Sequence, residues 1–262
     1  MLLKRLIREH PLGTFGAVIL LVLILVSIFA DALAPFRFGE MNLDNRLADP
    51  SNQHPLGTDH LGRDFMSRLI HGARLSLFVG LTATTLHVLV AALIGGTAGF
   101  LGGRFDLVVQ RFVDAWMAIP GLLLLLTIMS LTGPGLVQII LVLGISSGIT
   151  NSRVVRSAVI AIKENDYFQA ARAVGASKSR IFFRHVLPNI MPPIIIIFSI
   201  TLGAIIVAEA SLSFLGFGLP PDVPSWGGML SREGRQYMTI APRLALWPGF
   251  CLTIVVYALN MF

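Results

Sequence analysis

Long uncharged stretches alternate with short charged ones along this chain of 262 residues. Five long stretches hold no Asp, Glu, Lys or Arg: Leu12–Ala30, Leu75–Gly103, Ala115–Ser152, Val186–Ala208 and Leu244–Phe262. A membrane-spanning helix needs about 20 consecutive, mostly apolar residues. The pattern therefore predicts an all-α, polytopic membrane protein.

The stretch Ala115–Ser152 is too long for one span. Its 38 residues would form a helix of about 57 Å, against a hydrocarbon core of about 30 Å. Gly133-Pro134-Gly135 interrupts it with residues that end helices. Two spans are therefore predicted there, near Val108–Leu131 and Leu136–Thr150, which makes six transmembrane helices in the whole chain.

The charged segments divide the chain into three predicted parts. Residues 1–34 hold a basic start and the first span. Its apolar run exceeds the roughly 7–15 residues of a signal peptide, which predicts an uncleaved helix with its N-terminus inside. Residues 35–74 form an external loop. Residues 75–262 form a core of five helices with a basic cytoplasmic loop at 153–188.

The external loop contains a periodic segment. Leu61, Phe65 and Leu69 recur every four residues, with Arg63 and Arg68 between them. This spacing predicts an amphipathic helix lying in the membrane interface, with its basic residues toward water.

Composition supports a membrane protein and excludes several kinds of site. The chain is 55% hydrophobic and 13% charged, whereas soluble domains are about 25% charged. The formal net charge of +6 is spread over loops, which favours cytoplasmic-face bias over a nucleic-acid surface. Cys251 is the only cysteine, which excludes an intrachain disulfide. His54, His60 and His71 lack tight ligand spacing, so no metal site is predicted.

Two polar features fall inside the uncharged spans. Asp114 lies at the start of the third span, where a buried carboxylate is a functional candidate. Arg111 stands three residues earlier on the same helical face, so the sequence favours a local ion pair. The segment Gly144–Gly148 matches the G-x-S-x-G pattern of serine hydrolases. An intramembrane serine hydrolase using Ser146 is therefore an alternative function, although a serine nucleophile needs a nearby base.

The basic loop is the most informative segment. Seven of the 20 Lys and Arg residues fall between Arg153 and Pro188, against two acids. Such a loop between apolar spans stays in the cytoplasm. Asp166 is placed as an N-cap, Gly175 permits a sharp turn, and Ser177 is placed to cap a second helix. Pro188 is predicted to end that second helix.

An apolar ridge on the second helix predicts a binding partner. Ile181 and Phe182 stand beside Lys178, Arg180 and Arg184. A short apolar ridge facing water requires a surface that covers it, whereas an ordinary basic loop would lie on lipid headgroups.

The spacing of residues in this loop resembles a known signature. Gln169-Ala170-Ala171, Gly175 and Leu187-Pro188 are spaced like E-A-A-x3-G-x9-I-x-L-P, the signature of ATP-binding-cassette importer permeases. The chain has Gln169 where the signature has Glu, which puts a salt bridge to a partner there in doubt.

Further segments resemble one branch of that family, the dipeptide, oligopeptide and nickel permeases. They are Gly57–Leu77 and the run His185–Asn189, in which His185 replaces the Ile of the general signature. The resemblance extends from about Gly57 to Phe262. It implies a short charged tail after the last span, so the sequence is predicted to be truncated there.

The resemblance implies a fold and a function. The fold is the type I ABC importer permease fold of six transmembrane helices. The function is that of a permease subunit of an ATP-driven, binding-protein-dependent importer of di- or oligopeptides, which forms half of the translocation path. The expected location is a bacterial or archaeal inner membrane, with both termini cytoplasmic. A stand-alone channel or secondary transporter is a further alternative, and would need neither ATP nor a binding protein.

The resemblance also implies partners and site residues. The partners are a second homologous permease, two ATP-binding-cassette ATPase subunits, an external substrate-binding protein and the lipid bilayer. ATP hydrolysis is expected on the ATPases, because this chain has no G-x4-G-K-[ST] phosphate loop. Neither a cofactor nor a nucleic-acid partner is predicted. The predicted ATPase-coupling residues are Gln169, Ala170, Ala171, Gly175, Ile181, Phe182, His185, Leu187 and Pro188.

Overall fold

In a computed structural model of the chain, residues 11–220 and 222–261 are described. The helices, in chain order, are α1 Pro11–Ile28, α2 Ala30–Leu33, α3 Phe65–Leu101, α4 Gly103–Met117, α5 Gly121–Thr132, α6 Leu136–Lys163, α7 Asp166–Ala173, α8 Lys178–Ile181, α9 Leu187–Phe214, α10 Trp226–Met229 and α11 Arg243–Met261. A 3-10 turn lies at Leu43–Asn45, and wider π turns lie at Phe182–Val186 and Leu230–Gly234. The predicted basic start, residues 1–10, lies outside the described residues.

Six potential spans confirm the predicted all-α membrane architecture. Five runs are long and apolar enough to cross a membrane: α1, α3, α6, the continuous run Lys178–Phe214 and α11. The helices α4 and α5 qualify only as a pair, which is bent by 86° at the break between them. The third span is therefore broken and not the single helix predicted. Pro120 stands at the break, where it lacks the amide hydrogen that would continue α4.

Pro188 does not end a helix, and that prediction is wrong. The chain stays helical from Lys178 to Phe214 through the π turn. In this turn the amide of Leu187 donates to the carbonyl of Phe182, one residue further back than in an α-helix. The wider turn directly precedes Pro188, whose missing amide hydrogen leaves one bond of the continuous helix unformed.

The chain packs as two compact units. Of the described residues, one unit comprises residues 11–81, 129–139, 202–220 and 222–261, and the other comprises Thr82–Ile128 and Ile140–Thr201. Within the first unit α1 packs against α11. Trp226 is buried in that unit and donates its indole Nε1 to the carbonyl of Leu69 at 3.0 Å. Within the second unit the basic loop packs against α6.

The predicted interfacial helix in the external loop is wrong. Leu61 lies in a turn, and α3 begins only at Phe65 and continues without a break to Leu101. Phe65 and Arg68 are both buried. This segment therefore belongs to the interior of its unit. Its basic residues find carboxylates there, which removes the need to face water.

Candidate functional site

The loop between α6 and α9 is a pair of short helices joined at Gly175. Gly175 has a φ of +77°, in the left-handed region that glycine adopts without steric cost. Its amide donates to the carbonyl of Arg172 at 3.0 Å, and the amide of Ala176 donates to that of Ala171 at 3.1 Å. These two bonds form a Schellman motif, which ends α7 and turns the chain. The predicted sharp turn at Gly175 is confirmed.

Of the two helix caps predicted in this loop, one is confirmed and the other is displaced by one residue. The Oγ of Ser177 accepts a hydrogen bond from the amide of Arg180 at 3.3 Å, so the predicted cap of α8 is confirmed. The start of α7 differs by one residue. Asn165 occupies the N-cap position with extended backbone, and Asp166 is the first helical residue. A carboxylate in the first turn still favours the helix through its dipole.

The inner face of the loop is buried in its own unit. Phe168, Ala171 and Ile181 belong to one apolar cluster with residues of α3, α6 and α9. The other buried members are Ala91, Val155, Val159, Ile162, Val186, Ile190, Ile194 and Ile197. Complete burial of one large apolar side chain contributes about 1.5–3 kcal/mol. The loop is therefore firmly attached to the helices that it connects.

The prediction of an exposed ridge at Ile181 and Phe182 is wrong. Ile181 is 3% exposed, and Phe182 is half-buried. The ring of Phe182 packs edge to face on Phe100, with centroids 5.2 Å apart. Phe100 also meets the ring of Phe168, at 6.5 Å. The ridge turns inward because the ring of Phe100 gives it an apolar surface within the same unit.

Other side chains supply the outward apolar surface of the loop. Val174 is 83% exposed and Phe183 is 66% exposed, and Tyr167 is also exposed. Val174 occupies the C-cap of α7, immediately before the turn. We call these three residues the outer apolar face. Exposed apolar side chains on an otherwise charged loop suit contact with another protein.

The predicted site residues are divided between the two sides of the loop. The exposed ones are Gln169, Ala170, Gly175 and Pro188, and the buried or half-buried ones are Ala171, Ile181, Phe182, His185 and Leu187. Gln169 donates its Nε2 to the carbonyl of Lys163 at 2.8 Å. The ring of His185 lies 6.4 Å from that of Tyr167, centroid to centroid. The sequence motif thus marks one compact hairpin, with only part of the motif accessible to a partner.

Ion pairs join α4 to α6 within the same unit. Arg156 donates its Nε and Nη2 to the two carboxylate oxygens of Asp106 at 2.5 and 2.6 Å. The Nη1 of Arg111 lies 3.4 Å from the Oδ2 of Asp114, which confirms the predicted local pair. Arg153 binds the other oxygen of Asp114. Bidentate arginine–carboxylate contacts are strong and geometrically specific, so these pairs hold the two helices in register.

A buried network in the first unit was missed by the sequence reasoning. Arg63 donates its Nε to Asp59 at 2.6 Å and its Nη2 to Glu233 at 3.0 Å. The Nη2 of Arg68 lies 3.3 Å from the same oxygen of Glu233. All four side chains are buried. Burial raises the pKa of the Glu233 carboxyl above its usual value, and the two guanidinium groups oppose that rise. The sequence did not predict this network because Arg63 and Glu233 are 170 positions apart.

Three residues at this network have the side chains and the spacing that a metal ion would need. Asp59, His60 and Glu233 place one ligand atom each within 4.8 Å of one another. Arg63 already donates to both carboxylates. A cation at this position would compete with a buried guanidinium, so the geometry favours an ion-pair network over a metal centre.

Ser146 lies on α6 and is buried. A Cβ at Gly144 would lie 2.8 Å from the Cδ2 of Leu86, and one at Gly148 would lie 2.6 Å from the Cβ of Val90. These glycines therefore allow close packing of α6 on α3. Neither ring nitrogen of His87 has a hydrogen-bond partner among the described residues. Ser146 therefore has no hydrogen bond from His87 that could activate it as a nucleophile.

Two known protein families match most of the chain between them. Residues 91–262 match the family described as binding-protein-dependent transport system inner membrane component. Residues 3–55 match the N-terminal transmembrane domain of oligopeptide transport permease C.

Individual proteins give the same result. The chain is 38% identical to the dipeptide transport system permease protein DppC of Alkalihalophilus pseudofirmus, over 97% of this chain and 84% of that one. It is 35% identical to the oligopeptide transport system permease protein OppC of Bacillus subtilis, over 97% of this chain and 83% of that one. It is 35% identical to the glutathione transport system permease protein GsiD of Pectobacterium atrosepticum, over 98% of this chain and 85% of that one.

A solved structure shares the fold. It is an inward-facing form of the MetNI methionine ABC transporter, with a TM-score of 0.61 and 20% identity, covering 74% of this chain and 92% of that chain. The likeness supports the predicted type I importer permease fold. Together with the family matches, it leads to one conclusion: the chain belongs to the family of binding-protein-dependent transport system inner membrane components, in the branch of the dipeptide and oligopeptide permeases.

Proposed function

We propose that the chain is a permease subunit of an ATP-driven importer of di- or oligopeptides that depends on an external binding protein. It forms half of the translocation path together with a second homologous permease, and two ATPase subunits bind below. The relatives support this substrate class, because their names specify dipeptides, oligopeptides and glutathione.

One observation carries the proposed coupling role. The loop is a hairpin whose inner side chains, Phe168 and Ile181, are buried in the apolar cluster, while Val174 and Phe183 face outward. A hairpin anchored in this way moves as one body with α6 and α9. A force applied by an ATPase to the outer apolar face is then transmitted to the spans without local unfolding.

The proposed orientation places the loop in the cytoplasm and the segment from residue 35 to residue 74 outside. The excess of Lys and Arg in the loop supports it, since basic loops are retained on the cytoplasmic side.

The test is reconstitution of transport in liposomes. The chain, its partner permease and both ATPases are incorporated, with ATP enclosed and the binding protein outside. Uptake of a labelled dipeptide should require both ATP and the binding protein. Uptake by the purified chain alone would contradict the proposed role and favour a channel or secondary transporter.

A further inference from the structure

A basic pocket lies where α3 and α6 end, beside the loop hairpin. Its volume is about 410 Å³, and it is lined by Phe100, Leu101, Lys163, Phe168, Arg172, Ala176, Lys178 and Ile181. Three of these eight residues are cations, and none is an acid. We call it the basic pocket.

The cations of the basic pocket, Lys163, Arg172 and Lys178, have no carboxylate within ion-pair distance among the described residues. Asp106 forms its two hydrogen bonds with Arg156 and acts on Lys163 only as a more distant charge. Like charges around one concave surface repel each other at a cost that a bound anion removes. The electrostatics therefore favour an anionic ligand.

Lys163 anchors the floor of the pocket. Its Nζ donates to the carbonyl oxygens of Gly99 and Phe100, at 3.0 and 3.1 Å. These carbonyls belong to the last turn of α3, where a cation is favoured by the helix dipole. An ammonium group has three donors, so two are used and the third can meet a ligand oxygen.

The apolar part of the pocket indicates where the ligand comes from. Phe100, Leu101 and Phe168 form its wall. Leu101 is exposed, and so are Leu107 and Val108 at the start of α4. Exposed apolar side chains beside a cationic region fit a ligand that carries acyl chains. The pocket thus combines a cationic region with an apolar region at the end of two spans, as does a phospholipid at its headgroup boundary.

We propose that the basic pocket binds the phosphate of an anionic phospholipid. Arg172 and Lys178 contact the phosphate oxygens, and Lys163 supplies the remaining donor while it holds the end of α3. Arg172 and Lys178 flank the Gly175 turn, so an occupied pocket ties the hairpin to α3. Free inorganic phosphate offers the same chemistry without the acyl chains, and the experiment separates the two sources.

The experiment measures the shift in melting temperature of the detergent-purified transporter, with this chain in its complex. Three ligands are titrated: short-chain phosphatidylglycerol, phosphatidylcholine of equal chain length, and inorganic phosphate. Phosphatidylglycerol should stabilise the wild type saturably, and phosphatidylcholine should not. Saturation by inorganic phosphate at similar concentrations would identify a soluble anion as the source. Equal shifts with all three ligands, or none, would overturn the proposal.

Variants assign the effect to the pocket. Arg172→Gln with Lys178→Gln should weaken the apparent affinity for phosphatidylglycerol about 25-fold, because each cation near an anionic lipid contributes about fivefold. The matched control is Arg180→Gln with Arg184→Gln, which removes two exposed charges of the same loop outside the pocket lining and should stay within about twofold of wild type. If both double variants weakened phosphatidylglycerol binding equally, the binding would depend on the overall charge of the loop, and the proposed site would be overturned. Lys163 is kept unchanged because it holds α3.

A charge-conserving double variant separates a loss of lipid binding from a loss of assembly. If Arg172→Gln with Lys178→Gln prevents assembly of the complex, the binding test is made with Arg172→Lys and Lys178→Arg, which keeps both positive charges. The pocket predicts that this variant assembles and retains phosphatidylglycerol binding, and its failure to do either would overturn the proposal. The readout is ligand binding, so loss of peptide uptake with normal lipid stabilisation would count against the proposed coupling role and leave the pocket intact.

Discussion

Gln169 donates its side-chain amide to the main-chain oxygen of Lys163 across 2.8 Å. Lys163 is the last residue of α6, where carbonyl groups lack partners within the helix. The bond therefore fastens the first loop helix to the end of the span before it. A glutamate, which the family signature has at this position, only accepts hydrogen bonds at neutral pH.

Gln169→Glu should be tolerated with a small cost. The substitution loses one exposed hydrogen bond, worth about 0.5–1.5 kcal/mol at most, and leaves the buried face of α7 unchanged. Uptake by the reconstituted complex should stay within about threefold of wild type. Gln169→Ala, which loses the same bond without adding charge, is the control. A severe defect in the glutamate variant alone would show that the added charge disrupts a partner contact.

Gly175→Val should lower both ATP hydrolysis and transport while the spans remain inserted. A Cβ at this position meets nothing within 4 Å, so the effect comes from the φ of +77° and not from a clash. The strain for a β-branched residue is on the order of 1–3 kcal/mol. Substrate-stimulated ATP hydrolysis and uptake should fall together. Gly175→Asn is the control, because asparagine tolerates this conformation. Normal uptake by the valine variant, at normal complex yield, would make the loop a simple connector.

Val174→Asp should weaken binding of the ATPase subunits. The side chain is 83% exposed, so the substitution does not affect folding, but it places a charge on the outer apolar face. Co-purification of the ATPases should fall at least tenfold at equal permease yield. Ile240→Asp is a matched control, since Ile240 is 70% exposed and lies between α9 and α11, on the external side in the proposed orientation. Unchanged co-purification of the Val174 variant would remove this residue from the docking surface.

Cysteine labelling should establish the orientation. Ser51 and Ser177 are both exposed, so each can be replaced by cysteine in a Cys251→Ala background. An impermeant thiol reagent applied to intact cells should label only position 51, and both positions should react after the membrane is opened. Labelling of position 177 from outside would contradict the proposed topology.

Glu233→Leu should destabilise the first unit strongly. Arg63 and Arg68 would be left buried with Asp59 as their remaining carboxylate, and breaking a buried ion pair costs about 3–5 kcal/mol. The melting temperature in detergent should fall and the folded yield should drop. Adding Arg68→Met restores charge balance and should recover much of the loss. Without such a recovery, the defect would have to come from packing rather than from an unpaired charge.

Local features of the loop were predictable from sequence. Gly175 and Ser177 were assigned their turn and cap correctly, because φ preference and capping depend on residues within one helical turn. The direction of the apolar ridge was not predictable. Ile181 and Phe182 turn inward because Phe100, which belongs to α3, lies beside them. The residues that face outward, Val174 and Phe183, show no sequence pattern that separates them from the buried ones.

The sequence by itself determined the membrane class, the all-α architecture and the family, because the length of an apolar run and the spacing of a motif are local properties. The tertiary structure alone decided which groups meet. Arg63 pairs with Glu233 across 170 positions, and Lys163 reaches the carbonyl of Gly99 across 64. Side chains so far apart in sequence become neighbours only when helices pack, since packing sets the rotation and depth of each helix.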